Sequence, residues 1–342
     1  MAIAASGAVS FSDLRTEFVG SSAAISYSDL YRGGSNIRAK ANNSYAANLA
    51  ASVPTSGTIN IANFRSQAKG FRFTYTTGAS AANYQNQNAA TLFGDDYAVN
   101  YPKEIVINSG VELGATSTSE EALEIPSGSA GSITVTNNGT MSGAGGAAGA
   151  AGGDAFETAV AVTLINNGII RAGGGGGGTG GQGSYASYST PYWSGTYRWM
   201  SYGGNSASST GNRQVAVWGG SYVVNSYTTA LSIGAYSRSS YITITYSDPV
   251  IRQYRITQTT TNYQSGAAGG VGQGYNQSAA SGSTGSNNAG NGGAGGSFGQ
   301  SGTGGVNGNY TNGVSGGAAG NYIRGLSFVT LTQSGTVQGN TA

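Results

Sequence analysis

Apolar and polar positions alternate in short runs along most of the chain, which predicts short strands. Phe71-Arg-Phe-Thr-Tyr-Thr-Thr77 is one such run. A longer motif recurs from Glu104 onward: Ile105–Gly114, Ile133–Gly143, Val162–Gly173 and Val329–Gly339. Each copy is a β-rich run, a turn ending in glycine, two or three further residues, then glycine. Asn138-Gly139 and Asn167-Gly168 carry the strongest short-turn signal, so each copy is expected to be a strand, a tight turn and a short return. Ser239–Tyr246 and Arg252–Thr259 also alternate and predict antiparallel strands with polar outer faces. The pattern leaves Asn83–Tyr97 open between helix and loop.

The first seventy residues have a different rhythm. Ser6–Arg15, Ala24–Arg32 and, more weakly, Ser56–Arg65 are copies of one short unit. Ser10 precedes Asp13 by three, as Ser26 precedes Asp29, which is the spacing of a capping box at the start of a short helix. Phe11 with Leu14, and Tyr27 with Leu30, then share a helical face. Each unit is too short to bury a core alone, so it is expected to dock on its sister repeats or on another chain. Ala39–Pro54 reads as a linker.

A third period is set by glycine. Gly290, Gly293, Gly296, Gly299, Gly302, Gly305 and Gly308 fall at every third position, as do Gly143–Gly152 and Gly266–Gly272. Three residues is the period of the polyproline II helix, which has no internal hydrogen bonds. Glycine on one edge lets neighbouring backbones approach and bond to each other. None of the five prolines falls in these segments, so a polyglycine II bundle is expected rather than a collagen-like helix.

The predicted fold is mainly β with a polyglycine II helix bundle, a small N-terminal repeat region with short helical turns, and an antiparallel β insertion. The expected divisions are N-terminal repeats at 1–70, a β-rich connector at 71–130, strand-turn and glycine scaffold at 131–183, the insertion at 184–264, and glycine scaffold with a closing strand at 265–342.

Composition narrows the chemistry. The 342 residues include 60 glycines and only 8% charged side chains, with a net charge of +2. That balance gives no basic footprint for nucleic acid. Cysteine and histidine are absent, which removes thiol nucleophiles, imidazole bases and the common zinc ligands. No cofactor or metal is expected. Asp95-Asp96 and Glu120-Glu121 are sequence neighbours, which on a strand face opposite ways. The insertion holds one acid, Asp248, so it lacks the facing carboxylate pair of a glycosidase. Gly173–Gly183 matches a dinucleotide-binding glycine pattern, but neither the required helix nor the later acid follows. Asn138-Gly-Thr and Asn309-Tyr-Thr match a glycosylation acceptor. Met1–Gly7 lacks the basic and long apolar parts of a secretory signal.

The insertion carries all three tryptophans, and Tyr192, Trp193, Tyr197, Arg198, Trp199 and Tyr202 crowd into a dozen residues set in Ser and Gly. Antibody loops use the same palette for rigid aromatic contact. Tyr192, Trp193, Tyr197, Arg198, Trp199, Tyr202, Arg213 and Tyr222 are the candidate binding contacts. Tyr241, Ile242, Ile244, Tyr246 and Trp218 are candidate core residues of the insertion.

Val162-Thr-Leu-Ile-Asn-Asn-Gly-Ile-Ile-Arg-Ala-Gly173, running into glycine-rich segments, resembles the tail-fibre and tip-adhesin proteins of tailed bacteriophages. The Ser-Phe-Ser-Asp-Leu-Arg repeat is similar to N-terminal repeats of phage tail proteins. The resemblance implies a virion tail protein, made in the host cytoplasm. It implies docking to tail or baseplate proteins through the N-terminus, with Phe11, Leu14, Tyr27 and Leu30 as candidate attachment residues. It also implies binding of a host surface glycan or outer-membrane protein by loops between glycine motifs, which map by position onto 183–266. Fibre symmetry favours a homotrimer, although the glycine passes could also close a bundle within one chain. A purely structural tail component and a polysaccharide-degrading tailspike are the alternative readings.

Overall fold

A computed structural model describes the chain apart from residues 1–2, 4–5, 7, 20–25, 34–35, 38–46, 66, 78–83, 189–191, 201–205, 208–231, 234–235 and 246–249. The chain forms two compact units: residues 1–182 with 265–342, and residues 183–264.

At the N-terminus the repeats fold on each other. Ser10 caps Phe11–Leu14, its Oγ accepting from the Asp13 amide at 3.2 Å while its own amide donates to the Asp13 carboxylate at 2.7 Å. Ser26 and Asp29 repeat this reciprocal exchange before Tyr27–Leu30. Asn60 and Asn63 supply it before Ile61–Phe64. The amide and hydroxyl of each capping serine hold Asp13 and Asp29 below the usual carboxylate range. The three turns deliver Leu14, Leu30 and Phe64 to one small core with Ile3, Phe18, Ile37, Ala50 and Val53. The expected linker contains Ala47–Asn48, which pairs antiparallel with Phe71 and Arg72.

The strand repeats form a parallel coil with three sides. Phe71–Tyr75, Lys103–Ile107, Ile133–Asn137, Val162–Asn166 and Val329–Gln333 stack in parallel on the first side. Glu112–Gly114, Thr140–Ser142, Ile169–Arg171 and Thr336–Gln338 make the second. Gln87–Asn88, Leu123–Ile125, Phe156–Thr158, Asn321–Arg324 and Asn340–Thr341 make the third. Alternate residues point inward, so Ile105, Val135 and Leu164 stack in register, as do Leu113, Met141 and Ile170. The region 71–130 is thus the beginning of this coil. The undecided stretch 83–97 contains Ala89–Phe93, a short helix capped by the Asn88 side chain.

The expected strand-turn-return hairpins do not form. Ile133–Asn137 and Thr140–Ser142 belong to different sheets, and each pairs with its counterpart in the next copy. Gly139 and Gly168 do not take positive φ. Their glycine identity answers to stacking instead: a Cβ at Gly168 would lie 2.0 Å from the Gly139 carbonyl oxygen, and one at Gly335 would lie 2.1 Å from that of Gly168. Corner packing from coil to coil has replaced hairpin geometry.

Lys103 begins one of these strands with its ammonium buried. It donates to the carbonyls of Val99 at 2.8 Å, Tyr101 at 3.1 Å and Ala130 at 2.5 Å. Burial lowers its pKa to about 8, against the pull of Asp96.

The glycine segments leave the coil at the corner between its second and third sides. One excursion runs from Gly143 out to a turn at Ala147–Ala150 and back to Ala155. The next leaves at Ala172 and returns at Gly320, with the second unit inserted at 183–264. The leg from Gly173 to Gly181 lies at the centre. Its Gly174, Gly177 and Gly180 amides donate to Gln273, Gly270 and Ala267, and its Gly175, Gly178 and Gly181 amides donate to Gln300, Thr303 and Val306. Gly173 and Gly176 donate to Gly153 and Ala150. Its carbonyls accept, at the same spacing, from Gly146 and Gly149, from Gly296, Gly293 and Gly290, and from Gly320, Gly317 and Val314.

Every phase of the three-residue period therefore meets a neighbour, which explains the nearly uninterrupted glycine of this leg. A Cβ at Gly176 or Gly177 would lie 1.8 or 1.9 Å from a neighbouring carbonyl oxygen. Outer legs meet neighbours on fewer sides and need glycine less often. The even glycine spacing from Gly290 to Gly308 spans two legs, folded back at Ser297–Gln300, where Gly299 has φ +68°. These bonds join legs of the same chain.

In the second unit, Val250–Gln264 pairs antiparallel with Gly183–Tyr188, Tyr192–Met200 and Tyr236–Thr245. Among the described residues no helix is long and apolar enough to cross a membrane.

Candidate functional site: the far end of the glycine bundle

The legs turn back at two places remote from the coil. Ser286–Ala289 closes with the Ala289 amide donating to the Ser286 carbonyl at 2.9 Å. Asn287 and Asn288 take φ of 51° and 65° there, a conformation that asparagine tolerates better than most side chains. Gly308–Thr311 closes with a 3.0 Å bond from the Gly308 amide to the Thr311 carbonyl.

These turns are joined. The Asn309 amide donates to the Asn288 carbonyl at 3.1 Å, and the Tyr310 and Thr311 amides both donate to the Gln182 carbonyl. The Gln182 amide returns a 2.7 Å bond to Thr311 Oγ1. Gln182 is the last residue before the chain enters the second unit. Buttressing bonds fix the legs behind: the Gly285 amide on Asn291 Oδ1 at 2.8 Å, and the Gly313 amide on Asn307 Oδ1 at 2.9 Å.

The surface so made exposes Asn287, Asn288, Asn309, Thr311 and Tyr310, the last with 55% of its surface open. Its chemistry is neutral: amide and hydroxyl groups and one phenol. Such groups can hydrogen-bond and stack on a sugar or a protein loop. Among the described residues no group of three or more His, Cys, Asp or Glu could hold a metal ion.

The candidate contacts of the insertion fall unevenly. Tyr192, Trp193, Tyr197, Arg198 and Trp199 lie on the strand Tyr192–Met200, not in a turn. By alternation, Trp193, Tyr197 and Trp199 share one set of positions, and Tyr192 and Arg198 the other. Extended sequence with an antiparallel partner prevailed over the turn propensity of its Ser and Gly. Tyr202, Arg213 and Tyr222 lie outside the described residues. Of the core candidates, Tyr241, Ile242 and Ile244 lie on Tyr236–Thr245, and Tyr246 and Trp218 lie outside the described residues.

Of the candidate attachment residues, Leu14 and Leu30 are fully buried in the module's own core, while Phe11 is 39% exposed. The side chain of Tyr27 lies outside what is described. The two leucines hold the repeats to each other and cannot also form an outer contact surface.

The paired turns at 286–289 and 308–311 form a candidate surface that pattern reading did not point to. A signal was present: Asn287-Asn288 and Asn309-Tyr310-Thr311-Asn312 interrupt the glycine triplets at both places.

The family described as "Phage tail fibre adhesin Gp38" matches residues 72–342, beginning just after the N-terminal repeats. No curated protein and no solved structure matches the chain.

Proposed function

The chain belongs to the Gp38 family of phage tail fibre adhesins, and we propose that it binds a host surface receptor with the far end of its glycine bundle and with the insertion that starts there. The N-terminal module docks the protein onto the tail, with Phe11 among the groups that contact a tail protein. The glycine legs form a polyglycine II bundle, supported by hydrogen bonds that recur at every third residue between legs. Such a mount is stiff, because each leg is fixed by bonds to its neighbours rather than by flexible side chains.

The observation that carries this reading is the joining of Asn288, Asn309, Tyr310 and Gln182 into one bonded surface at the point where the chain enters its aromatic insertion. Glycan rings or an outer-membrane protein loop suit its amide, hydroxyl and aromatic groups. Binding by several copies on one virion sums weak contacts into avidity. Purified full-length chain added to host cells should compete with phage adsorption. A purely structural tail component would leave adsorption unchanged.

A further inference from the structure

The hairpin of residues 144–153 covers the central leg only part of the way. Gly173 and Gly176 donate their amides to its returning strand, and the next residue of that phase, Thr179, has no partner for its amide. Gly174 and Gly177 accept from its outgoing strand, and the next carbonyl, Gly180, accepts from none. The flanking legs tell the same story. The Gly272 amide donates to Gly146 and the Ala318 carbonyl accepts from Gly152, but the Gly269 amide and the Ser315 carbonyl, one period further out, have no partner.

Among the described residues, a lane in the packing therefore stands open beyond the Ala147–Ala150 turn. Thr179 and Gln182 are exposed on a leg otherwise buried, and Val314 is 59% exposed beside them. Two amides and two carbonyls face this lane at the places where the chain's own legs would have continued.

We propose that this lane binds an extended peptide segment of a partner protein, rich in glycine and other small residues, held main chain to main chain. The rows lining it already hold peptide nearer the coil: Gly146–Gly149 and Ala150–Gly153 occupy the same positions one period earlier. The Thr179 amide and Ser315 carbonyl continue the row of the returning strand, and the Gly269 amide and Gly180 carbonyl that of the outgoing strand. Each row offers one donor and one acceptor a three-residue period, about 9 Å, beyond the last filled position, which suits an extended peptide folded back on itself. Side chains larger than alanine would meet the walls, as glycine and alanine dominate the hairpin that fills the covered half. This is strand addition transferred from a sheet edge to a glycine bundle.

A synthetic peptide of repeating Gly-Ala-Ser triplets, added to the full-length chain, tests this by amide hydrogen exchange. The Thr179 and Gly269 amides should exchange quickly in the free protein and slow on addition of peptide, while the Gly176 amide stays protected in both. Thr179→Pro removes the unpartnered donor without breaking an existing bond and should weaken peptide binding about tenfold at an unchanged melting temperature. Lengthening the hairpin by one triplet on each strand should fill the lane and abolish binding. Peptide that leaves both amides unprotected, or binds Thr179→Pro as tightly, overturns the proposal. Protection of the same amides by a host oligosaccharide but not by peptide also overturns it.

Discussion

Asn137 donates its side-chain amide to Asn166 Oδ1 at 2.8 Å, and both residues are fully buried at equivalent corners of successive coils. The same amide group of Asn137 reaches the Ile169 carbonyl at 3.1 Å, and Asn137 Oδ1 accepts from the Gly139 amide at 3.1 Å. Asn137, which precedes the Asn138-Gly139 turn signal, thus links one coil to the next. Asn166→Ala would leave the Asn137 amide short of an acceptor inside the coil. An unpaired buried polar group costs about 1–3 kcal/mol, so calorimetry should show a lower melting temperature. Asn138 pairs with Asn167 at an exposed corner position, and Asn167→Ala should cost much less.

Glycine is required at the centre of the bundle and dispensable at one place on its face. Gly176→Ala would force a Cβ to within 1.8 Å of the Ala147 carbonyl oxygen, whereas at Gly304 the nearest atom would be 3.6 Å away. Gly176→Ala should abolish the native fold or destabilise it severely. Gly304→Ala should be neutral or gain about 0.4–1 kcal/mol through the unfolded state. Melting curves of the two variants make the comparison; equal behaviour would contradict close backbone contact at the centre.

Legibility followed period. The capping boxes, the strand runs and the glycine triplets could be read because each repeats locally, and the small core of Leu14, Leu30 and Phe64 follows from three copies of one unit. What escaped reading depends on partners far along the chain. Ile133–Asn137 pairs with Val162–Asn166 and Lys103–Ile107 in parallel, and Asn-Gly alone cannot distinguish a coil corner from a hairpin. The fold-back at Ser297–Gln300 preserves the triplet spacing, so no break in pattern announces it. The far-end surface was visible only as interruptions at Asn287-Asn288 and Asn309–Asn312, which gain meaning once the legs are aligned. The aromatic run from Tyr192 was legible as composition, but its strand depends on Val250–Gln264, more than fifty residues later.

Acid should strengthen the seat of the glycine bundle. Arg324 gathers Glu121, Glu157 at 2.5 Å and Asp154 at 3.3 Å, joining the last leg to the first excursion. Burial, then the neighbouring Glu157, raises Glu121 from 4.5 to about 7, outweighing Arg324. A carboxyl raised on folding contributes stability that is present below its unfolded value and lost as pH rises through the folded one. Stability should therefore fall between about pH 4.5 and pH 7 as this group ionises. Glu121→Gln should flatten that slope and raise the melting temperature at pH 8. A slope unchanged by the substitution would remove Glu121 as its source.

The N-terminal module separates stability from attachment. Leu30→Ala empties a fully buried site and should cost about 2–5 kcal/mol. Phe11→Ala, at a side chain 39% exposed, should lower the melting temperature less than Leu30→Ala and should lower the amount of chain incorporated into virions beyond what Leu30→Ala does, measured by immunoblot of purified particles. Normal incorporation would remove Phe11 from the docking surface.

The far end of the bundle and the insertion are proposed to meet the host. Gly183 pairs with Gln264, so residues 184–263 can be excised and the ends joined by a short Gly-Ser link. The decisive measurement is competition for phage adsorption by this excised chain carrying Tyr310→Ser and Asn309→Ser, beside the full-length protein. This variant should show an intact melting transition and no competition. A folded variant that still blocks adsorption as well as the full-length chain would place receptor binding elsewhere on the molecule.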